Sequence, residues 1–267
     1  MDAPSRLVLL GHPVAHSKSP RFQNAALEAA GIPLTYSTLD VHPDALAPTM
    51  ALLAAERAAG NVTIPHKQAV AALCTRRSAL AERAGAVNVF WHEDGQLVGD
   101  NSDVGGAEAV MRALLADALQ GTTIALIGAG GSASSVLSAA ERCGAAEVRV
   151  YNRNMTRARN LVQRFAPMAR AVAVMEDALH RADLVVNATP IGLHGDALPV
   201  PVELLPPGCA VFDLAYAAGE TAWVRGARAA GHRAADGQGM LIEQGAIAFE
   251  MWFGLTPDRN AMWKALS

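Results

Sequence analysis

The sequence predicts an α/β protein built from two consecutive blocks. Short runs of apolar and β-branched residues alternate with longer segments of helical periodicity, which is typical of parallel strands joined by crossover helices. The length of 267 residues corresponds to one large domain or two modest ones. Hydrophobic residues make up 51% of the chain and charged residues 18%, and this composition excludes an intrinsically disordered protein.

The predicted strands follow one another along the chain, and most are separated by a helix. Strands are expected at residues 7–11, 34–41, 61–64, 123–128, 147–152, 183–189 and 209–214. Helical patterns occupy, for example, residues 45–59, 132–143, 156–165 and 238–253. Between residues 87 and 98 the turn signal Glu93-Asp94-Gly95 predicts a hairpin instead of a helix.

These elements divide the chain into two blocks and a tail. The first block is predicted to cover residues 1–103. The second covers residues 104–236 and is entered through a linking helix at about 104–119. Residues 237–267 carry no strand signal, so they are predicted to form helices.

Charge and composition narrow the classes of partner. Lys and Arg number 22 against 25 Asp and Glu, so there is no basic excess for binding nucleic acid or an anionic membrane. No stretch approaches the roughly 18 apolar residues of a membrane span, and the apolar run at 7–10 is too short for a signal peptide. The cysteines Cys74, Cys143 and Cys209 lie far apart, which predicts reduced core thiols and a cytoplasmic location.

A glycine-rich turn opens the second block. The predicted strand ends in Gly128-Ala129-Gly130-Gly131-Ser132 and a helix follows, which is the order of a dinucleotide site in a Rossmann-like domain. Glycines allow the backbone to approach a pyrophosphate, and the helix N-terminus offers amide donors to it. The alternative is a tight strand-to-helix turn without a ligand.

The end of the next strand distinguishes between the two nicotinamide cofactors. An NAD site usually places Asp or Glu there to bind the ribose 2′-hydroxyl, whereas this chain has Asn152-Arg153, with Arg157 four residues further on. Guanidinium groups bind phosphate bidentately, so these residues favour NADP over NAD. The alternative is that both arginines are solvated surface charges.

Polar segments of the first block follow predicted strands, where open α/β sheets bind ligands. Ser17 and Ser19 lie in one loop, where both hydroxyls could bind a carboxylate, or Ser19 could cap the next helix. Lys67 follows the strand at 61–64, where it is either catalytic or a surface lysine. Asn88 and the GDNSD run at 99–103 contain residue types that also form ordinary turns.

A metal site is not predicted. His12 and His16 have the spacing of two ligands on a helix face, but Gly11 and Pro13 argue against a helix there. A third ligand is not evident from the sequence.

Eight motifs, taken together, resemble the shikimate dehydrogenase family and occur in the family's order. They are GHPVAHSKSP at 11–20, NVTIPHK at 61–67, GAVN at 85–88, GDNSD at 99–103, GAGG at 128–131, NRNMTR at 152–157, NATP at 187–190 and DGQGMLIEQ at 236–244. The resemblance implies an enzyme that reduces 3-dehydroshikimate to shikimate with NADPH, in the pathway to chorismate and the aromatic amino acids. It also implies that the first block is the substrate domain, with a mostly parallel sheet, and that the C-terminal helices return to it.

The resemblance also assigns roles by motif position. It implies that Ser17 and Ser19 bind the substrate carboxylate, that Lys67 and Asp103 form the catalytic pair, and that Thr63, Asn88, Tyr216 and Gln244 contact the substrate. The pyrophosphate is expected on Gly128, Ala129, Gly130, Gly131 and Ser132, the 2′-phosphate on Asn152, Arg153 and Arg157, and the nicotinamide end near Leu214 and Gly237. A lysine suits the reaction because the developing alkoxide needs a proton and a nearby positive charge.

Some positions depart from the family pattern. His66 stands where Phe is common, Ser102 where Thr is common, and Asn154 where NADP-binding members often have Thr. Ser134 and Ser135 follow the glycine turn, where an arginine is often found. We expect the first two departures to alter packing more than chemistry. The others leave room for a looser NADP site or for mixed cofactor use.

Two other functions stay open at this point. A quinate or quinate/shikimate dehydrogenase would share the Lys67–Asp103 pair, although Ser17 and Ser19 favour shikimate because quinate-preferring relatives often replace one serine with a bulkier hydroxyl residue. A non-catalytic sensor of shikimate-like ligands is disfavoured because both Lys67 and Asp103 are present. We expect a monomer or a homodimer without nucleic-acid or membrane partners.

Overall fold

The computed structural model describes residues 3–193, 195–217 and 219–266. The chain divides into two compact units, one formed by Met1–Gly105 together with Leu241–Ser267 and the other by Gly106–Met240. Each unit contains its own sheet. No helix within the described ranges is long and apolar enough to span a membrane.

The first unit contains a mixed sheet. Its elements are β1 (Leu7–Gly11), α1 (Ser19–Ala29), β2 (Tyr36–Asp40), α2 (Leu46–Ala55), β3 (Ala59–Val62), α3 (Lys67–Leu73), β4 (Arg76–Arg77), α4 (Ala79–Ala84), β5 (Val89–Glu93), β6 (Gln96–Asp100) and the start of α5 (Ser102–Leu115). The strand order is β2-β1-β3-β5-β6-β4. All neighbouring strands are parallel except β5, which is antiparallel to both β3 and β6.

The predicted hairpin is present as β5 and β6. Its turn residues Asp94 and Gly95 have φ angles of 51° and 74°, the left-handed conformation that a tight hairpin turn requires at both positions. Successive side chains along a strand of this sheet point to opposite faces, as β1 illustrates. Leu7 and Leu9 of β1 pack in one core, while Val8 and Leu10 pack in the core on the opposite face.

The second unit contains an all-parallel sheet. Its elements are β7 (Thr123–Ile127), α6 (Gly131–Arg142), β8 (Glu147–Tyr151), α7 (Met155–Val162), β9 (Ala169–Val172), α8 (Met175–Leu179), β10 (Leu184–Asn187), β11 (Ala210–Asp213), α9 (Ala222–Ala229), β12 (Ala234–Ala235) and the start of α10 (Gly237–Phe253). The order β12-β11-β10-β7-β8-β9 is Rossmann-like. The strand order reverses at β7, which is where such sheets bind ligands.

The C-terminal helices return to the first unit, as predicted. Most of α10, together with α11 (Arg259–Leu266), belongs to it. Phe249, Trp252 and Met262 share a core cluster with Phe22 of α1. Gly245 permits the close packing of α10 on α1, because a Cβ atom at this position would lie 2.4 Å from the Phe22 ring.

Some sequence-based boundaries were wrong. The helix predicted at 45–59 ends as α2 at Ala55, and the strand predicted to begin at 61 begins as β3 at Ala59. Gly60 concealed the start of this strand because glycine has a low strand propensity. A Cβ atom at Gly60 would lie 2.0 Å from the Val8 carbonyl oxygen, so glycine is needed for β1 to approach β3.

Three strands were not predicted. Two of them, β4 and β12, are only two residues long, so they show no alternation that a pattern could reveal. The third, β9, contains only Ala-Arg-Ala-Val and has a weak strand signal. Each completes one edge of a sheet.

Candidate active site

Four chain segments that carry predicted site residues meet at one edge of the first sheet, namely the edge where β1 and β3 have their carboxyl ends. The serine loop follows β1 and the NVTIPHK segment follows β3, which is parallel to β1. Asn88 immediately precedes β5, and the GDNSD segment includes the end of β6. Because β5 is antiparallel to β3 and β6, the start of β5 and the end of β6 lie at this same edge.

Lys67 and Asp103 form a close ion pair at this edge. Lys67 is the first residue of α3, and Asp103 lies in the first turn of α5. The lysine Nζ donates to Asp103 Oδ2 at 2.5 Å, and the side chains are only 16% and 9% exposed. The N-terminal end of α5 favours a negative charge on Asp103 through the helix dipole. The structure therefore brings together two residues that the resemblance assigned to one pair.

Asn88 fixes the carboxylate of this pair. Its Oδ1 accepts a hydrogen bond from the Ser102 amide at 2.7 Å, while its Nδ2 donates to Asp103 Oδ1 at 2.7 Å and to Ser102 Oγ at 3.1 Å. Asn88 thus caps α5 from a different element. Ser102, expected to affect mainly packing, is part of this polar network.

Two further residues of the network were not identified from the sequence. Asn61 is 5% exposed on β3, and its Nδ2 donates to the Asn88 carbonyl oxygen at 3.1 Å. Its Oδ1 accepts from the hydroxyl of Tyr36 at 2.8 Å. A sequence signal existed for Asn61, since it is a polar residue within a predicted buried strand. None existed for Tyr36, which lies 25 residues earlier in the chain.

The serine loop is ordered by a local hydrogen bond. Ser17 Oγ accepts from the amide of Ser19 at 3.2 Å. Ser19 begins α1 and is 7% exposed, and no hydrogen-bond partner of its hydroxyl is present in the described part of the chain. Ser17 therefore satisfies an amide at the helix start, and the alternative in which Ser19 caps the helix is not observed.

Thr63 and Gln244 occupy different parts of the first unit. Thr63 directly follows β3, and its amide donates to the Leu10 carbonyl oxygen at 2.7 Å. Gln244 is 8% exposed on α10, and its Nε2 donates to the Leu241 carbonyl oxygen of the same helix at 2.7 Å. The side-chain amide of Gln244 is thus held within its own helix.

The buried ring of His66 makes a hydrogen bond that the sequence did not predict. Its ring is 1% exposed, and Nε2 donates to the Val41 carbonyl oxygen at 2.7 Å. This bond links the residue before Lys67 to the segment that follows β2. The departure from the family's common Phe therefore adds a hydrogen bond as well as changing the packing.

The glycine turn of the second unit leaves space beside a helix N-terminus. Gly128 has a φ of 112°, and a Cβ atom there would lie 2.8 Å from the Ala188 carbonyl oxygen. Cβ atoms at Gly130 and Gly131 would meet nothing within 4 Å. Gly131 begins the twelve-residue helix α6, and Ala129 and Ser132 flank these glycines. This geometry fits a pyrophosphate because the backbone is open and the helix amides are nearby.

Arg153 and Arg157 are exposed after β8. Neither guanidinium is ion-paired with a carboxylate in the described ranges. Asn152 Nδ2 donates to the Asn154 carbonyl oxygen at 2.8 Å, and Asn154 Oδ1 accepts from the Arg157 amide at 3.1 Å to cap α7. Two cations are therefore available for a 2′-phosphate on an ordered turn, and Asn154 helps to order it.

The serines that replace the family's arginine lie inside the second unit. Ser134 and Ser135 are 5% and 1% exposed on α6, and Ser134 Oγ donates to the Gly131 carbonyl oxygen at 2.9 Å. Neutral and buried, they supply no cation for the adenine ribose.

Leu214 and Gly237 are immediate neighbours in the second unit. A Cβ atom at Gly237 would lie 2.3 Å from the Leu214 carbonyl oxygen, so only glycine fits there. The preceding Asp213 is fully buried and accepts from Asn187 Nδ2 at 2.8 Å and from Thr221 Oγ1 at 2.8 Å. Desolvation raises the pKa of Asp213, and burial also raises the pKa of Tyr216. These bonds order the segment that carries Leu214 and Tyr216.

Three family models match successive parts of the chain. The shikimate dehydrogenase substrate binding domain matches residues 9–90, the shikimate / quinate 5-dehydrogenase model matches 111–192, and the shikimate 5'-dehydrogenase C-terminal domain matches 237–266. The three matches occur in this order along the chain and cover parts of both sheets.

Individual relatives extend over the full length. A shikimate dehydrogenase (NADP(+)) of Rubrobacter xylanophilus is 42% identical over 100% of this chain and 97% of its own. The structure of a Thermus thermophilus shikimate 5-dehydrogenase in complex with NADP(H) and shikimate is 38% identical over 98% of each chain, with a TM-score of 0.87. A Corynebacterium glutamicum quinate dehydrogenase in complex with NAD is 29% identical over 99% of each chain, with a TM-score of 0.88. The chain therefore belongs to the shikimate dehydrogenase family, which confirms the resemblance of its motifs.

Proposed function

We propose that this protein catalyses the reversible, NADPH-dependent reduction of 3-dehydroshikimate to shikimate, a step on the route to chorismate and the aromatic amino acids. The observation that carries the proposal is the Lys67–Asp103 pair, with 2.5 Å between Nζ and Oδ2, held by Asn88 at the ligand-binding edge of the first sheet. The full-length NADP-dependent relatives support the same activity.

Lys67 acts on the oxygen at the reacting carbon. In reduction, its ammonium group donates a proton to the developing alkoxide, and in the reverse direction the neutral amine accepts the hydroxyl proton. Asp103 holds the lysine in place through its Oδ2 and can accept a hydrogen bond from the substrate.

The remaining proposed substrate contacts follow the family's motif positions. Ser17 and Ser19 bind the carboxylate, and the partner-free Ser19 hydroxyl described above supports this role. Tyr216 is at the position where the family carries a tyrosine near the substrate. Thr63, Asn88 and Gln244 surround the ring hydroxyls and the reacting carbonyl. In this role the Gln244 amide exchanges its bond to the Leu241 carbonyl oxygen for one to the substrate.

The second unit is proposed to bind the cofactor, whose bound nicotinamide supplies the hydride. The pyrophosphate lies on the open glycines of the segment Gly128–Ser132, beside the N-terminus of α6. Asn152, Arg153 and Arg157 bind the 2′-phosphate, supported by the absence of carboxylate partners for the two arginines within the described ranges. Leu214 and Gly237 line the part of the site that binds the nicotinamide end of the cofactor.

The domain roles and the cellular setting complete the proposal. Residues 1–103 form the substrate domain, residues 104–236 form the NADP domain, and residues 237–267 form C-terminal helices that pack back on the substrate domain. The three cysteines are free and buried, as suits a cytoplasmic enzyme. The protein is a monomer or a homodimer, which light scattering of the purified chain distinguishes by mass.

A quinate dehydrogenase activity with NAD is the second candidate. The observation that favours it is the full-length likeness to the quinate dehydrogenase that was solved with NAD. The lack of a cation at Ser134 and Ser135 also weakens the preference for a 2′-phosphate.

A four-way assay tests the proposal. Shikimate and quinate are each incubated with NADP+ and with NAD+, and the reduced nicotinamide is measured at about 340 nm. Preference for shikimate with NADP+ supports the proposal, and preference for quinate or NAD+ favours the second candidate. No turnover with any pair overturns both and favours a sensor that binds shikimate-like ligands.

A further inference from the structure

A buried chain of hydrogen bonds crosses the first sheet. The Tyr36 hydroxyl on β2 donates to Asn61 Oδ1 on β3 at 2.8 Å, although β1 lies between these strands. Asn61 Nδ2 then donates to the carbonyl oxygen of Asn88 at 3.1 Å. Tyr36 and Asn61 are 1% and 5% exposed, so water does not compete for these bonds.

The direction of the chain is fixed by chemistry. The carbonyl oxygen of Asn88 can only accept, so the side chain of Asn61 must present its Nδ2 there. The Oδ1 of Asn61 therefore faces Tyr36, whose hydroxyl must donate. Burial raises the pKa of Tyr36 well above its ordinary value, which keeps the donated proton on the hydroxyl. The amide of Asn61 is locked in one orientation.

Asn88 connects this chain of hydrogen bonds to the Lys67–Asp103 ion pair. Its carbonyl oxygen accepts from Asn61 Nδ2 and from the Val62 amide, the latter at 2.9 Å, so its backbone is tied to β3. Its side chain caps α5 at Ser102 and donates to Asp103 Oδ1 at 2.7 Å. A shift of Asn88 would therefore move the carboxylate that holds Lys67.

We propose that Tyr36 is a positioning residue for the Lys67–Asp103 pair and acts through Asn61 and Asn88. The tyrosine does not contact the pair itself. Its hydroxyl fixes the orientation of the Asn61 side-chain amide, and that amide in turn fixes Asn88. The inference rests on the proposed function, because it concerns the same pair. It adds a residue on β2, outside the segments that carry the family motifs.

The competing explanation is packing. Tyr36 lies in the core cluster formed with α1 and the C-terminal helices, and its ring centroid is 6.0 Å from that of Trp252. A residue that served only packing would affect stability without changing the titration of the pair. The experiment must therefore separate the hydroxyl from the ring.

Tyr36→Phe removes the hydroxyl and keeps the ring, while Trp252→Phe disturbs the same ring contact and keeps the hydroxyl. We expect Tyr36→Phe to lower kcat by roughly five- to tenfold, the loss of about one hydrogen bond, and to shift the pH profile of kcat. Trp252→Phe should lower Tm but leave the pH profile unchanged. In an Asn61→Ser background, Tyr36→Phe should cause little further loss, because both act along one chain.

A wild-type pH profile and kcat in folded Tyr36→Phe would overturn the inference, as would equal profile shifts in Tyr36→Phe and Trp252→Phe. If circular dichroism shows that Tyr36→Phe does not fold, the Asn61→Ser variant alone tests the proposal, and a wild-type pH profile of kcat in that variant contradicts it.

NMR titration of the Lys67 side chain, assigned with Lys67→Met, gives a readout without turnover. An inactive wild-type enzyme would overturn the proposed function, whereas an unchanged Lys67 titration in Tyr36→Phe would overturn only this inference.

Discussion

Lys67 and Asp103, 36 residues apart in sequence, meet with 2.5 Å between the lysine Nζ and the carboxylate Oδ2. Each lies in the first turn of a helix that begins near the same edge of the first sheet. The pair is largely shielded, with 16% and 9% of the side chains exposed. An ammonium group held in this way can deliver a proton without reorganising its surroundings.

Replacing the lysine should remove the proton donor. Lys67→Met keeps the apolar stem, and we expect kcat to fall by at least about a hundredfold while shikimate still binds, because general acid–base groups contribute at this scale. Steady-state assays with shikimate and NADP+ measure the change. Lys264→Met, at an exposed position of α11, is the matched control and should keep wild-type turnover. Near-normal turnover in folded Lys67→Met would exclude Lys67 as the proton donor.

The arginines after β8 should determine the choice of cofactor. Arg153→Ala and Arg157→Ala each remove a cation, so KM for NADP+ should rise about tenfold or more, as expected for a lost hydrogen bond to a charged phosphate. KM for NAD+ should change little because NAD lacks the 2′-phosphate. Arg159→Ala on the same helix provides the control. Equal rises in KM for NADP+ and NAD+ would show that these arginines do not bind the 2′-phosphate.

The open space at the glycine turn can be filled by one methyl group. Gly131→Ala places a Cβ atom where no protein atom lies within 4 Å, so Tm should stay at the wild-type value or rise slightly. The same methyl group would occupy the space proposed for the pyrophosphate, and we expect KM for NADP+ to rise several-fold. Thermal unfolding and cofactor titration measure the two effects. Unchanged cofactor affinity would contradict a pyrophosphate at this turn.

The buried thiols should make stability fall at alkaline pH. Burial raises the pKa of Cys74 and of Cys209 to about 11, whereas an unfolded thiol ionises near 9. The unfolded chain therefore loses these protons first, so the stabilising effect present below about pH 9 is lost as the pH rises towards 11. Urea unfolding followed by tryptophan fluorescence measures the free energy of unfolding at each pH.

The matched comparison uses the double variant Cys74→Ala/Cys209→Ala. Other groups also ionise above pH 9, but they are common to both proteins and cancel in the difference. We expect the stability advantage of the wild-type protein over the variant to shrink between pH 9 and 11. A constant difference over this interval would show that the thiols ionise equally in the folded and unfolded chains.

The sequence predicted local elements well where the hydrophobic pattern was continuous. The strand at 7–11 was placed with both of its ends, and the hairpin was placed by its Asp-Gly turn. Prediction was wrong at β3, where Gly60 interrupts the pattern for a reason that lies in another strand. A residue selected by the close approach of a neighbouring backbone carries no strand signal of its own.

The sequence by itself determined the α/β class and the family, because these depend on periodicity and on short motifs whose residues are adjacent in the chain. It also proposed Arg153 and Arg157 as phosphate ligands, and the structure leaves both without ion-pair partners within the described ranges. Only the tertiary structure decided that Asn88 caps α5, that Ser17 instead of Ser19 satisfies a helix amide, and that Tyr36 reaches Asn61 across β1. These relationships depend on strand order and helix placement, which bring distant residues within hydrogen-bond distance and which no local pattern encodes.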